Sequence, residues 1–134
     1  MSTLLAAVLF IHLSAVYAGE GTVNAFGCVY CKGRPLTNIT VRMYDVDFFF
    51  DAFMGYAVTD EEGCFFINGT ASDLRDEIDP VINFYHTCEM DIDYGRCLLK
   101  SRMFLGEDEI NTSKPLNFTK IDVAQLPTAK DCFH

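Results

Sequence analysis

Residues 39–43 read Ile39-Thr40-Val41-Arg42-Met43, apolar and polar side chains in strict alternation. A period of two puts Ile39, Val41 and Met43 on one face of an extended segment, and that face needs a core to cover it. The pattern continues in both directions. Downstream, Gly55-Tyr56-Ala57-Val58-Thr59 reads as another strand, and Asp60-Glu61-Glu62-Gly63 turns the chain into Cys64-Phe65-Phe66-Ile67, with Asn68-Gly69 marking its end. Upstream, Val23-Asn24-Ala25-Phe26 leads through Gly27 into Cys28-Val29-Tyr30-Cys31, closed by the turn residues Lys32-Gly33-Arg34-Pro35. Strands resume at Val81–His86, at Leu98–Leu105 with Leu99, Met103 and Leu105 inward and Lys100 and Arg102 outward, and at Leu116–Val123. In the last of these the apolar parity shifts between Phe118 and Ile121, which predicts a bulge. One stretch breaks the period: Thr70-Ala71-Ser72-Asp73 has capping-box spacing, Leu74 and Ile78 lie four apart, and Pro80 follows. The expectation is an all-β sandwich of two sheets with one short helix, folded as one domain over residues 19–134.

The first 18 residues bear on the compartment. From Leu4 to Val16 the chain is apolar apart from His12 and Ser14, and Val16-Tyr17-Ala18 suits a cut after Ala18. No basic residue precedes that run, yet about 13 apolar residues are too few for a membrane span, which needs roughly 20. A signal peptide over 1–18 and an extracellular destination are expected. Every Asp, Glu, Lys and Arg lies after it, so the net charge of −9 belongs to the domain. The ten basic residues are scattered from Lys32 to Lys130, which argues against a nucleic-acid partner.

Six cysteines follow the signal segment: Cys28, Cys31, Cys64, Cys88, Cys97 and Cys132. An even count in a small exported domain reads as three disulfides, which can pair in fifteen ways. Cys28-Val29-Tyr30-Cys31 has the Cys-x-x-Cys spacing, but in a strand residues three apart face opposite sides. Redox chemistry or zinc binding is therefore not expected of it. Asn38, Asn68, Asn111 and Asn117 each open an Asn-x-Ser/Thr sequon, and glycosylation is expected at some of them.

Few residues suggest chemistry. His86, in strand parity with Ile82 and Phe84, reads as a packed histidine at a sheet end, with no nucleophile or second base apparent from the sequence. Asp45, Asp47 and Asp51, and separately Asp91 and Asp93, read as solvated acidic loops; a calcium loop needs more ligands in a fixed order. No metal or cofactor is expected. Phe48-Phe49-Phe50, with Phe53 and Met54, stands out because three consecutive aromatics cannot all face one core. Such a run more often caps an open end of a sandwich; otherwise it is an exposed patch that contacts a partner.

Several of these stretches resemble the nematode transthyretin-like family. Lys32-Gly33-Arg34-Pro35-Leu36 before Val41-Arg42-Met43-Tyr44-Asp45 is similar to its opening, as is Thr59-Asp60-Glu61-Glu62-Gly63-Cys64-Phe65 running into Gly69-Thr70-Ala71-Ser72. Ile78-Asp79-Pro80, then Tyr85-His86-Thr87-Cys88, is the most specific piece, and Leu116–Ile121 with Asp131-Cys132 matches the ending. The resemblance covers about residues 22–132. It implies a transthyretin-like (prealbumin-like) sandwich of two four-stranded sheets, and the pairing Cys28–Cys64, Cys31–Cys132 and Cys88–Cys97. Hydroxyisourate hydrolases of the same fold use several histidines and a Tyr-Arg-Gly-Ser tail, whereas this chain ends Lys130-Asp131-Cys132-Phe133-His134. An enzyme is thus not expected. The expectation is an extracellular module that does not span the membrane and that binds an extracellular or cell-surface protein or a lipid; a carrier of a small hydrophobic ligand is the alternative.

Overall fold

The computed structural model describes residues 20–72, 78–89 and 95–134. Among these residues nine strands pack as two sheets: β1 (Glu20–Cys31), β2 (Arg34–Pro35), β3 (Thr40–Val46), β4 (Asp51–Val58), β5 (Cys64–Ser72), β6 (Pro80–His86), β7 (Leu98–Phe104), β8 (Leu116–Asp122) and β9 (Thr128–Asp131). The first sheet runs β2-β1-β5, with β8 parallel to β1 on its other side; the second runs β4-β3-β6-β7-β9. The expected sandwich of two sheets is what forms, with five strands rather than four in the second sheet. Among the described residues no helix is long and apolar enough to cross a membrane.

Alternation builds the core. Val41 and Met43 of β3 meet Ile82 and Phe84 of β6 inside the second sheet, and Val23, Ala25, Val29 and Ile67 face them from the first. Phe65 and Phe84 meet edge to face across the gap at 5.6 Å between ring centroids. The bulge expected in β8 is present: Gly27 pairs with Phe118 and Val29 with Ile121, so two β8 residues oppose Cys28 alone.

Three expectations are corrected. β5 does not end at Asn68-Gly69 but continues to Ser72, because β1 supplies partners back to Glu20. Gly69 sits there for space, since a Cβ on it would lie 2.7 Å from Met43 Sδ and 3.0 Å from Met54 Cβ. Thr70 to Ser72, read as the start of the short helix, are therefore strand, and Ile78 and Asp79 at its expected end are not helical; 73–77 lie outside the described residues, as does the signal segment 1–18.

The third concerns the cysteines. Cys28–Cys64 forms as expected, directly across the β1–β5 register. The Cys64 amide and carbonyl both bond Asp60 rather than Cys28, so the two cysteines are a non-hydrogen-bonded pair, where side chains come closest. The other bonds are Cys31–Cys88 and Cys97–Cys132, not Cys31–Cys132 and Cys88–Cys97. The cause is β9, which pairs with β7 at Leu98↔Asp131 and so sets Cys132 beside Cys97. Cys31 points into the core from β1 and reaches across to Cys88 beyond the end of β6. One disulfide staples each sheet and one joins the two.

Candidate functional site: an aromatic hairpin tip

The β3–β4 hairpin projects Asp47-Phe48-Phe49-Phe50 beyond the last strand pair, Val46↔Asp51. Phe48, Phe49 and Phe50 are 91%, 85% and 67% exposed, so the run does not cap the sandwich. Phe48 and Phe49 touch only edge to face, at 5.1 Å between centroids, and the Asp47 carboxylate accepts the Phe48 amide at 2.6 Å.

The base of the hairpin is braced. Asp45 is buried and its carboxylate accepts the Asp79 amide at 2.8 Å, while the Val46 amide donates to the Asp79 carbonyl at 2.9 Å. Asp51 pairs with Arg102 at 3.3 Å. The Arg102 Nε donates to Asn83, and its guanidinium lies over the Phe104 ring at 5.1 Å. Asp45 and Asp51 are thus structural anchors rather than free members of an acidic loop. Phe53 is 60% exposed and meets Tyr44 edge to face on the outer surface of the second sheet.

Met54 does not belong to this surface. Met43 pairs with Gly55 and Tyr44 with Phe53, leaving Met54 as the extra residue of a β-bulge. The bulge turns it inward, where it is 8% exposed and part of the core, so the expected contact surface loses Met54 and keeps the four phenylalanines.

His86 is buried, in inward parity with Ile82 and Phe84. The Cys88 amide donates to its Nδ1 at 3.2 Å, so the ring proton sits on Nε2 and is donated to Ser101 Oγ at 2.8 Å. Ser101 in turn bonds Thr128 Oγ1 at 2.7 Å, and Thr128 donates to the Leu126 carbonyl at 2.9 Å. Burial pushes the His86 pKa down, opposed by the nearby Glu89. This relay fastens β6, β7 and β9 together. Ser101 escaped the sequence reading, although a serine in inward parity between Leu99 and Met103 was the available signal.

The sequons separate by face. Asn68 on β5 and Asn117 on β8 are exposed on the outer side of the first sheet. Asn38 is exposed in the turn before β3 with φ of 54°. Asn111 also has positive φ, and it bonds sideways to β1: its amide donates to the Thr22 carbonyl and its Oδ1 accepts the Thr22 amide, both at 2.8 Å. Asp91 and Asp93 lie outside the described residues.

Open cavities on the described surface include the following two. One of about 260 Å³ is bordered by the Cys31–Cys88 disulfide, His86, Glu89 and Thr128; one of about 290 Å³ lies between Tyr30, Gly33, Lys120 and Asp122.

The profile of the Transthyretin-like family matches residues 26–105, more than half of the chain. The chain belongs to that family. Transthyretin-like protein 5 of Caenorhabditis elegans is 29% identical over 138 aligned positions, which cover 95% of this chain and 97% of the relative. Transthyretin-like protein 33 of the same nematode is 35% identical over 65, covering 47% of this chain and 45% of its own. A solved 9R-lipoxygenase from Cyanothece aligns with 75% of this transthyretin-like chain and 16% of the enzyme, at a TM-score of 0.47 and 21% identity. That likeness is too slight to inform this member of the family.

Proposed function

We propose that this transthyretin-like protein is an extracellular binding or adaptor module that performs no catalysis and docks Phe48, Phe49, Phe50 and Phe53 against an extracellular protein or lipid surface. The observation that carries the reading is the exposure of three consecutive rings at the tip of a braced hairpin. At roughly 200 Å² per ring, Phe48–Phe50 leave on the order of 500 Å² of aromatic surface in water. That is more than half of the ~800 Å² that one partner contributes to a standard interface. Apolar patches of this kind mark contact sites in proteins that otherwise keep such groups inside.

Export is supported by the three disulfides, which persist in oxidising compartments, and by the apolar segment at 4–16. A non-catalytic role is supported by His86, whose two ring nitrogens are both engaged in structural bonds. The carrier of a small hydrophobic ligand remains the alternative; the cavities of about 260 and 290 Å³ on the described surface fall at or below the ~300 Å³ where small-ligand pockets begin, and neither of these two favours it.

The test replaces Phe48, Phe49 and Phe50 with Ser and measures binding of the fluorescently labelled, folded protein to cells and to extracellular matrix from its source. Binding at least tenfold weaker than that of the unaltered protein is expected. Unchanged binding by a variant with unchanged thermal midpoint sinks the idea.

A further inference from the structure

Two more phenylalanines are exposed far from the tip, on the outer face of the first sheet, and their surroundings point to what covers them. Phe26 and Phe66 are directly opposite in the β1–β5 register. On its other side Phe26 pairs with Asn117 of β8. Residues two apart on a strand share a face, so Phe66, Asn68 and Thr70 stand in line along β5 on that outer surface. All three are exposed, Phe66 at 55%. Both mid-strand sequon asparagines therefore border one aromatic pair. Thr70, the hydroxyl residue of the Asn68 sequon, has its Oγ1 3.1 Å from Thr22 Oγ1.

We propose that Asn68 and Asn117 carry N-linked glycans whose first sugars pack on the Phe66–Phe26 pair, making the outer face of the first sheet a sugar-covered side. In the linking step, Asn Nδ2 bonds to C1 of an oligosaccharide carried on a polyprenyl diphosphate. The C1–O bond to the diphosphate breaks, the polyprenyl diphosphate leaves with the electron pair, and Nδ2 loses one of its two protons. The remaining N–H stays available to hydrogen-bond. An N-acetylglucosamine ring has one face of C–H groups carrying partial positive charge, and the negative face of an aromatic ring is its complement. From Asn68 the sugar reaches back along the strand to Phe66; from Asn117 it reaches sideways to Phe26. Sugar cover also accounts for two mid-sheet phenylalanines left to water on a protein that has a separate aromatic tip. The second sheet carries no sequon on its outer side among the described residues, so its surface and the hairpin tip stay bare.

The whole chain, placed behind a heterologous export signal so that the outcome does not depend on residues 1–18, is produced by a glycosylating secretory host. Peptide mass mapping after enzymatic deglycosylation in ¹⁸O-water reads occupancy. Thermal midpoints are then compared for the parent, Phe66→Ala, Asn68→Gln and the double variant, with Thr70→Ala as a second way to remove the Asn68 sugar. Occupancy of Asn68 and Asn117 is expected. Phe66→Ala should lower the midpoint by about 3 °C or more when the sugar is present and by much less without it. Upfield ring-current shifts of the first sugar's C–H protons, lost in Phe66→Ala, are the direct signature. An unoccupied Asn68 or Asn117 overturns the proposal, and so does an equal cost of Phe66→Ala in both backgrounds.

Discussion

Ser101→Ala should be among the most damaging single-atom deletions in this protein. Ser101 Oγ takes the His86 Nε2 proton at 2.8 Å and bonds Thr128 Oγ1 at 2.7 Å, with the serine fully buried. Without that oxygen the histidine cannot move its proton to Nδ1, because the Cys88 amide already points there from 3.2 Å. The variant is left with a buried N–H lacking an acceptor, which costs about 1–3 kcal/mol, and loses the bond to Thr128, worth about another 1 kcal/mol. The sum is roughly 2–4 kcal/mol. Urea unfolding at pH 8 with the disulfides intact reads it, as a lower midpoint at unchanged slope. A loss below about 0.5 kcal/mol would refute the reasoning. The same network sets a pH response. His86 titrates lower in the folded state than in the unfolded one, so as the pH falls through the unfolded value near 6.5 only the unfolded chain takes up the proton. Stability from this group is full above that value and declines on acidification until the lowered folded pKa is passed. The slope there approaches about 1.4 kcal/mol per pH unit at most. His86→Asn should flatten the decline between pH 7.5 and 5.5, even though it starts from a less stable protein.

Other outcomes follow from packing and covalent structure. Met54→Ala should cost about 2–5 kcal/mol, since the bulge buries Met54, whereas Phe49→Ser should stay within about 0.5 kcal/mol in the same unfolding assay. Gly69→Ala should destabilise by about 1–3 kcal/mol, because the new methyl meets Met43 and Met54. Non-reducing peptide mapping should recover Cys31 linked to Cys88 and Cys97 linked to Cys132. Replacing Cys31 and Cys88 together by Ala should cost about 4 kcal/mol in the chain-entropy model.

Much of the sandwich was legible because its strands obey a period of two: residues 39–43 announce a half-buried strand, and the parity slip between Phe118 and Ile121 announces the bulge. What was hidden depended on partners elsewhere in the chain. Asn68-Gly69 carries turn chemistry, but a long β1 keeps it extended. Thr128–Asp131 has no alternating apolar side because it is an exposed edge strand, and without β9 the second and third disulfides were assigned wrongly. The phenylalanine tip was visible as an anomaly, though its exposure was not, since capping and projection share one sequence. Met54 was misassigned because a bulge in β4 reverses its side, and no local residue pattern marks that bulge.

Photo-crosslinking tests the central claim, that the β3–β4 tip is the docking surface, most directly. A benzophenone side chain is placed at Phe49 in one protein and at Tyr30, on the first sheet and away from the tip, in another. Each folded protein is irradiated on native extracellular material. Adducts to the same protein or lipid should form repeatedly from position 49 and be lost when Phe48 and Phe50 are also Ser, with position 30 silent. Equal labelling from both positions, or labelling from position 30 alone, would contradict the account.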